Sequence, residues 1–269
     1  MISDSIKLLS TDFDGTLVDW FGDVLFPDEL GALLAAYQQA GSKWVINTGR
    51  TLPMVEDGLA QIGCPTRPDF VIASERELYA WDTQAKAWVQ PTAWNDQCLA
   101  DLNLLYDRAA SQISTLVEVA TGLEGTRVMW EDNRAAGLVA ATEKQMDQIV
   151  QTLEKLRQQA PMLNAQRNSV YMRFCHSDYS KGSTLSELAR HLNLSPEDIF
   201  AVGDHFNDIS MLDGQHAHWA ACPANAVPEV KAAVRRAQGY VAGQDCGLGV
   251  LEALDHFRRC AHPADGAAA

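Results

Sequence analysis

Asp12 and Asp14 stand one residue apart in the stretch KLLSTDFDGTLV, residues 7–18, where a short apolar run ends and Gly15 follows. Two carboxylates crowded into a half-buried position repel each other and are expensive to desolvate, and a cation resolves both problems. An oxygen-rich site of this kind suits Mg²⁺, which takes one or two carboxylates, keeps several waters and accepts phosphate oxygens in the remaining places. Two other readings compete. A calcium loop with Gly15 at its sixth position would begin at Ser10 and close at Phe21, where that loop requires an acid and a glutamate. A solvated acidic turn would fit DFDG taken alone, so the rest of the chain has to decide.

Similar polar tips end two more apolar runs. Residues 43–47, KWVIN, lead into Thr48, Gly49 and Arg50, and residues 199–202, IFAV, lead into Gly203, Asp204, His205, Phe206, Asn207 and Asp208. A threonine hydroxyl beside backbone N–H groups at a glycine turn can cradle an oxyanion or a phosphate; the same residues could equally cap a helix at Thr48 or Thr51. Lys181 lies at or just before the start of a helical pattern over residues 183–192.

These tips need strands to carry them. Gly15 permits the sharp departure of a strand over residues 8–9, and residues 27–41 form a helix with Leu30, Leu33, Leu34 and Tyr37 on one face. A strand at 69–74 and a hairpin of 78–81 with 87–90 across DTQAK follow. The pattern then changes: a helix at 94–113, strands at 115–120, 127–130 and 137–141, a helix at 143–159 and a strand at 169–175. Strict alternation resumes at Asp178, with a helix at 183–192, a strand at 199–202, a helix at 210–213, a strand at 217–221, a helix at 228–237 and closing segments at 239–242 and 250–257. The expectation is an α/β protein: a doubly wound, mainly parallel Rossmann-like core sheet with a second, smaller α+β cap domain. The core comprises residues 1–82 and 177–260, the inserted cap residues 83–176, and residues 261–269, ending DGAAA, form a disordered tail. In such a sheet, ligands bind at the carboxyl ends of the strands, where the acids are.

Composition narrows the partners. The chain has 269 residues, 47% of them hydrophobic, and a net charge of −14, which repels nucleic acid and anionic membranes as general partners. No apolar run reaches membrane-spanning length and MISDSIK precedes the first strand without a signal-type apolar region, so a cytoplasmic protein is expected. Six scattered cysteines with no CxxC pair argue for reduced thiols rather than disulfides. The number of subunits is not written in any of these features.

In their order, DFDGT at 12–16, TGR at 48–50, Lys181 and GDHFND at 203–208 resemble the four motifs of the haloacid dehalogenase superfamily of phosphohydrolases. The stretch of about 130 residues between TGR and Lys181 resembles the class II cap of the Cof-like, sucrose-phosphate and mannosyl-phosphoglycerate phosphatases. A true dehalogenase lacks the second acid of the first motif, which is present here as Asp14. The resemblance implies that Asp12 is a nucleophile forming an aspartyl-phosphate and that Asp14 is the general acid and base. It implies Mg²⁺ held by Asp12, Asp14 through its backbone carbonyl, and Asp204, with Asp208 orienting Lys181 or a metal-bound water. Thr48, Gly49, Lys181 and Asn207 would hold the phosphoryl group.

Substrate contacts are less defined. Arg50, Asn225 and, in the insert, Arg127, Arg134, Tyr171 and Arg173 are the candidates. Glu75 and Arg76 stand where relatives commonly have Asn-Gly, and Pro223 and Ala224 precede Asn225 where relatives have Met-Gly. His216 and His218 are expected to be structural rather than metal ligands, and Trp94 and Trp130 to lie in the core of the insert. The function implied is Mg²⁺-dependent hydrolysis of a small phosphorylated metabolite, a sugar phosphate above all, with the insert as a lid that supplies selectivity. A phosphomutase of the same superfamily and a catalytically silent metabolite-binding module are the rival readings.

Overall fold

A computed structural model describes residues 5–261. In chain order it contains β1 (Leu8–Thr11), α1 (Asp28–Gln39), β2 (Lys43–Asn47), α2 (Leu52–Ile62), β3 (Phe70–Ala73), β4 (Glu77–Asp82) and β5 (Ala87–Val89). Then come α3 (Trp94–Arg108), α4 (Ala110–Thr121), β6 (Arg127–Glu131), β7 (Arg134–Val139), α5 (Glu143–Leu156), β8 (Leu163–Asn168) and β9 (Tyr171–His176). The chain continues through α6 (Lys181–Leu192), β10 (Ile199–Val202), α7 (Ile209–Leu212), β11 (Trp219–Cys222), α8 (Pro228–Arg236), β12 (Tyr240–Val241) and α9 (Cys246–Ala261). Of the tail expected at 261–269, only Ala261 falls within the described residues, as the last residue of α9.

The chain divides into two compact units, one of residues up to Trp94 with those from Lys181 onward, the other Asn95–Ser180. The first unit is built on an eight-stranded sheet of order β12-β11-β10-β1-β2-β3-β4-β5. Pairing is parallel from β12 to β3 and antiparallel for β4 and β5, so the hairpin that spans position 82 remains part of this sheet. Every residue of β1, β3 and β10 is buried, so both faces are covered, and β3 and β10 accordingly read as continuous apolar runs. On one face Leu9, Trp44, Ile46 and Val71 meet Leu30, Leu34 and Tyr37 of α1 and Val250, Leu254 and Phe257 of α9. On the other, Leu8, Val45, Ile72 and Ile199 meet Leu185 and Leu188 of α6, Met211 and Leu212 of α7, and Val230 and Val234 of α8. Alternate residues of one strand thus serve opposite layers. Strand β1 lies between β10 and β2, where the winding reverses direction, so three parallel strands point their carboxyl ends at one edge.

The second unit is a four-stranded antiparallel sheet, β6-β7-β9-β8, with α3, α4 and α5 contributing to its core. Here the sequence reading needs correction. Residues 115–120 are not a strand but belong to α4, whose buried residues are Ile113, Leu116 and Ala120. The alternating Thr115, Val117 and Val119 imitate a strand, yet the burial follows helical spacing and the tertiary contacts override the β-branched preference. The helix expected at 94–113 is two, broken at the buried Ala109 (φ −106°, ψ 17°), with no proline or glycine to announce it. Strand β8, LNAQRN, is too polar to show as a strand and exists because all six of its residues pair with β9. Neither tryptophan expected in the insert's core is there. Trp130 is 64% exposed, and Trp94 packs on the apolar layer of the first unit, its Nε1 donating to the Arg76 carbonyl at 2.7 Å.

Candidate active site

The edge where β1, β2 and β10 end collects most of the chemistry-bearing residues of the first unit. Asp12 follows β1 directly and is only 4% exposed, its backbone N–H donating to the Val202 carbonyl at 2.9 Å and so tying it to the end of β10. Lys181, the first residue of α6, is fully buried and donates from Nζ to Asp12 Oδ1 at 2.7 Å and to Asp208 Oδ1 at 2.5 Å. The lysine is fixed from behind. Its carbonyl accepts from Asn47 Nδ2 at 3.0 Å, and the Gly182 N–H donates to Ser210 Oγ at 3.1 Å. A side chain at Gly182 would collide with the Ser210 carbonyl and the His216 ring, so only glycine lets α6 approach this closely. His216 pairs with Ser186 across 2.6 Å, an account of that residue that requires no metal.

Asp208 has both of its oxygens engaged by the protein. Its Oδ1 takes Lys181, while Oδ2 accepts the backbone N–H groups of Asp204 and His205, both at 2.9 Å. Asp204 and Asp12 are different: Asp204 Oδ1 accepts from Thr16 Oγ1 at 2.8 Å and Asp12 Oδ1 from Lys181, while no hydrogen bond reaches Oδ2 of either among the described residues. One carboxylate oxygen each from Asp12, Asp204 and Asp208 lie within 4.8 Å of one another. Burial pushes Asp12 well above the ordinary carboxylate value, Asp208 and Asp204 push it further, and Lys181 opposes them. Burial, then Asp208, lifts Asp204 to about 7. For Lys181, burial disfavours the charge, but Asp12 and then Asp208 outweigh it and hold the amine above the usual lysine value. Gly15, at φ +73°, closes the cluster; a Cβ there would lie 2.6 Å from Asp204 Oδ2.

Asp14 faces other partners. Arg50 donates from Nε to Asp14 Oδ2 at 2.7 Å and from Nη2 to Oδ1 at 2.6 Å, and Trp20 Nε1 donates to Oδ1 at 2.6 Å. The guanidinium lies over the rings of Phe13 and Trp20, 4.9 and 5.2 Å from their centroids. Arg50, expected among substrate contacts, is thus engaged by a protein carboxylate.

Thr48 is buried after β2, and its Oγ1 accepts the Arg50 N–H at 3.2 Å. Gly49 lies against Glu75, whose Oε1 would be 3.1 Å from a Cβ at that position, and the same Oε1 accepts from Asn207 Nδ2 at 2.7 Å. Thr48, Gly49, Asn207 and Lys181 therefore all lie in the first unit, with Glu75 linking Gly49 to Asn207 and standing close enough to Lys181 to help hold its charge. Asn225 has both ends of its amide engaged, Nδ2 to the Gly15 carbonyl and Oδ1 to the Cys246 N–H, each at 2.8 Å. In the insert, Arg173 pairs with Glu131 at 2.7 Å, Arg134 donates to Asn103 Oδ1 at 2.6 Å, Arg127 begins β6, and Tyr171 is 53% exposed.

Sequence reasoning missed Trp20, Thr16 and the role of Glu75. Glu75 had a signal, because it follows β3 on the edge where the other strands place their acids. Ser74 and Glu75 both adopt the left-handed backbone region, φ 50° and 63°, which side chains other than Gly and Asn occupy at a cost. That conformation turns a glutamate inward where an exposed loop residue would be expected. Trp20 had no signal, since nothing in LVDWFGD says which aromatic turns towards Asp14.

Compared with known proteins, residues 5–258 match the model of the sucrose-6F-phosphate phosphohydrolase family. The chain belongs to that family. It is accordingly a phosphatase of the haloacid dehalogenase superfamily, a phosphoric monoester hydrolase with a Cof-like relationship. A putative phosphatase of Bacillus subtilis, YxeH, is 25% identical over 83% of this chain and 89% of its own length. In fold, the sucrose-phosphatase of Synechocystis, solved with sucrose and phosphate, has a TM-score of 0.68 at 21% identity, covering 96% of this chain and 98% of its own. The subclass IIB sugar phosphatase BT4131 has a TM-score of 0.63 at 18% identity, covering 93% and 98%. At such identities these two structures speak for the fold alone.

Proposed function

We propose that this phosphatase hydrolyses a phosphorylated sugar with Mg²⁺, through a phosphoryl group carried transiently on Asp12. The observation that supports this most directly is the state of the three clustered carboxylates. Asp208 has both oxygens engaged, by Lys181 and two backbone amides, whereas Asp12 and Asp204 each keep one oxygen open, and both are pushed towards protonation by burial and by the neighbouring Asp208. An all-oxygen pair with this electrostatic strain fits a hard divalent cation, held by Asp12, Asp204 and the Asp14 backbone carbonyl, while Asp208 serves as orienter of Lys181. When bound, the ion would neutralise phosphoryl oxygens and let the carboxylates ionise.

The residues divide the chemistry. Lys181 pins Oδ1 of Asp12 and so fixes the orientation of the carboxylate that would attack phosphorus. Asp14 would give a proton to the departing alcohol oxygen and later take one from the hydrolytic water. Thr48, Gly49, Asn207 and Lys181 would grip the oxygens of the transferring phosphoryl, whose developing charge is what catalysis of this kind stabilises. The sugar as leaving group is supported by the family match. A phosphate-release assay over a panel of sugar, polyol and acyclic phosphoesters, with and without Mg²⁺, tests all of this. Turnover that persists in chelator, or that favours acyclic esters over every sugar phosphate, would overturn the corresponding part.

A further inference from the structure

The loop after β1 carries a tryptophan whose orientation the nucleophile, the metal ligands and the phosphate donors leave unexplained. Trp20 turns its indole N–H onto Asp14 Oδ1 at 2.6 Å while the next residue, Phe21, is 101% exposed. The loop is built to do this. The Asp19 N–H donates to the Leu25 carbonyl at 3.0 Å, and Asp19 Oδ1 accepts the N–H groups of Phe21 at 3.1 Å and Gly22 at 2.8 Å, closing a tight turn directly beyond the tryptophan. The indole also flanks the Arg50 guanidinium that holds the same carboxylate.

We infer that Trp20 is a positioning residue that selects which oxygen of Asp14 exchanges the proton. Oδ1 receives two donors, Arg50 Nη2 and Trp20 Nε1, and has both lone pairs committed. Oδ2 receives one, Arg50 Nε, and keeps a lone pair that can carry a proton. In the first half of the reaction an Asp12 oxygen bonds to phosphorus, the bond from phosphorus to the leaving oxygen breaks, and that oxygen keeps the electron pair and takes the proton from Asp14 Oδ2. Without the indole N–H, Oδ1 regains a free lone pair, the proton divides between two oxygens, and the carboxyl loses its fixed presentation. This inference rests on Asp14 being the acid and base of the proposed reaction.

The test is the dependence of kcat/KM, which reports steps only through the first chemical one, on leaving-group basicity. The substrates are p-nitrophenyl phosphate, phenyl phosphate and glycerol phosphate, with saturating Mg²⁺. Trp20→Phe keeps an aromatic ring, though a smaller one, beside Arg50 and removes the N–H donor. It should leave p-nitrophenyl phosphate nearly unchanged, because that leaving group needs no proton, and lower glycerol phosphate about tenfold, the scale of one hydrogen bond to a charged group. Gly22→Ala, whose Cβ would collide with the Asp19 carboxylate, should displace the loop and steepen the dependence in the same sense. Asp14→Asn is the control and should be steeper still. An equal loss on all three esters, or none, in both loop variants would overturn the role of Trp20. An unchanged slope in Asp14→Asn would instead overturn Asp14 as the acid, so the two failures are distinguishable.

Discussion

Asp12 and Asp14 lie on one turn of chain, yet the two regions around them are made differently. Around Asp12 the charges are enclosed: Lys181 and Asp208 have no exposed side-chain surface, and backbone and side-chain donors together fix Asp208. Around Asp14 the carboxylate is 36% exposed and meets an arginine and an indole from the surface side. Burial raises Asp12 and Asp204 in the first region, a cost that a bound cation would offset by favouring their ionised forms. Partial exposure leaves the second able to exchange protons with a leaving group and with water.

Breaking the enclosed side should have the largest effect. Asp12→Ala should take phosphate release to the assay floor and abolish any covalent phosphoenzyme, and trapping labelled phosphate on a different residue would show the nucleophile to be elsewhere. Asp14→Asn should slow turnover less, by about 10² to 10⁴, the range of general acid–base catalysis, while still allowing Asp12 to be phosphorylated by activated esters. If the two variants were equally dead towards p-nitrophenyl phosphate, the contrast between the regions would have no catalytic meaning.

A third expectation sharpens the electrostatic half of the comparison. Asp204 stands at about 7 in the folded protein and near 3.9 in an unfolded chain, so the folded state binds the extra proton between those values. A raised folded pKa contributes stability that is complete below about pH 4 and lost as pH rises through about 7. Metal-free protein should therefore melt at lower temperature at pH 8 than at pH 5, and Mg²⁺ should restore the difference by binding only the native state. Asp204→Asn should flatten the pH dependence in chelator; a variant that melts with the wild-type profile would remove Asp204 from this account.

The smallest expected effect lies at the join between phosphoryl donors. Glu75→Gln keeps an oxygen for Asn207 Nδ2 but removes a negative charge beside Lys181 and Gly49, so KM for phosphoesters should fall a few-fold, the scale of one partly screened charge, with kcat little changed. Steady-state kinetics that show a raised KM would mean the carboxylate is needed in the grip itself.

Much of the core's architecture follows from local rules. Buried parallel strands are largely apolar, so the runs at 8–9, 44–46 and 199–202 announce themselves, and so do the polar residues that follow them. The insert was less legible, because it mixes polar strands such as β8 with a helix, α4, whose β-branched residues imitate a strand.

By itself, the sequence determined that Asp12, Asp14, Lys181 and Asp204 exist at the ends of successive elements of an α/β chain, since strand periodicity and glycine placement are encoded within a few residues. Only the tertiary structure decided their partners. Lys181 finds Asp12 169 positions away, Glu75 reaches Asn207 across 132, and Arg50 turns to Asp14 across 36. Such pairings depend on which strands lie side by side and on how closely α6 can approach at Gly182. Desolvation follows from that packing, so the protonation of each carboxylate is a property of the assembled fold rather than of the residue.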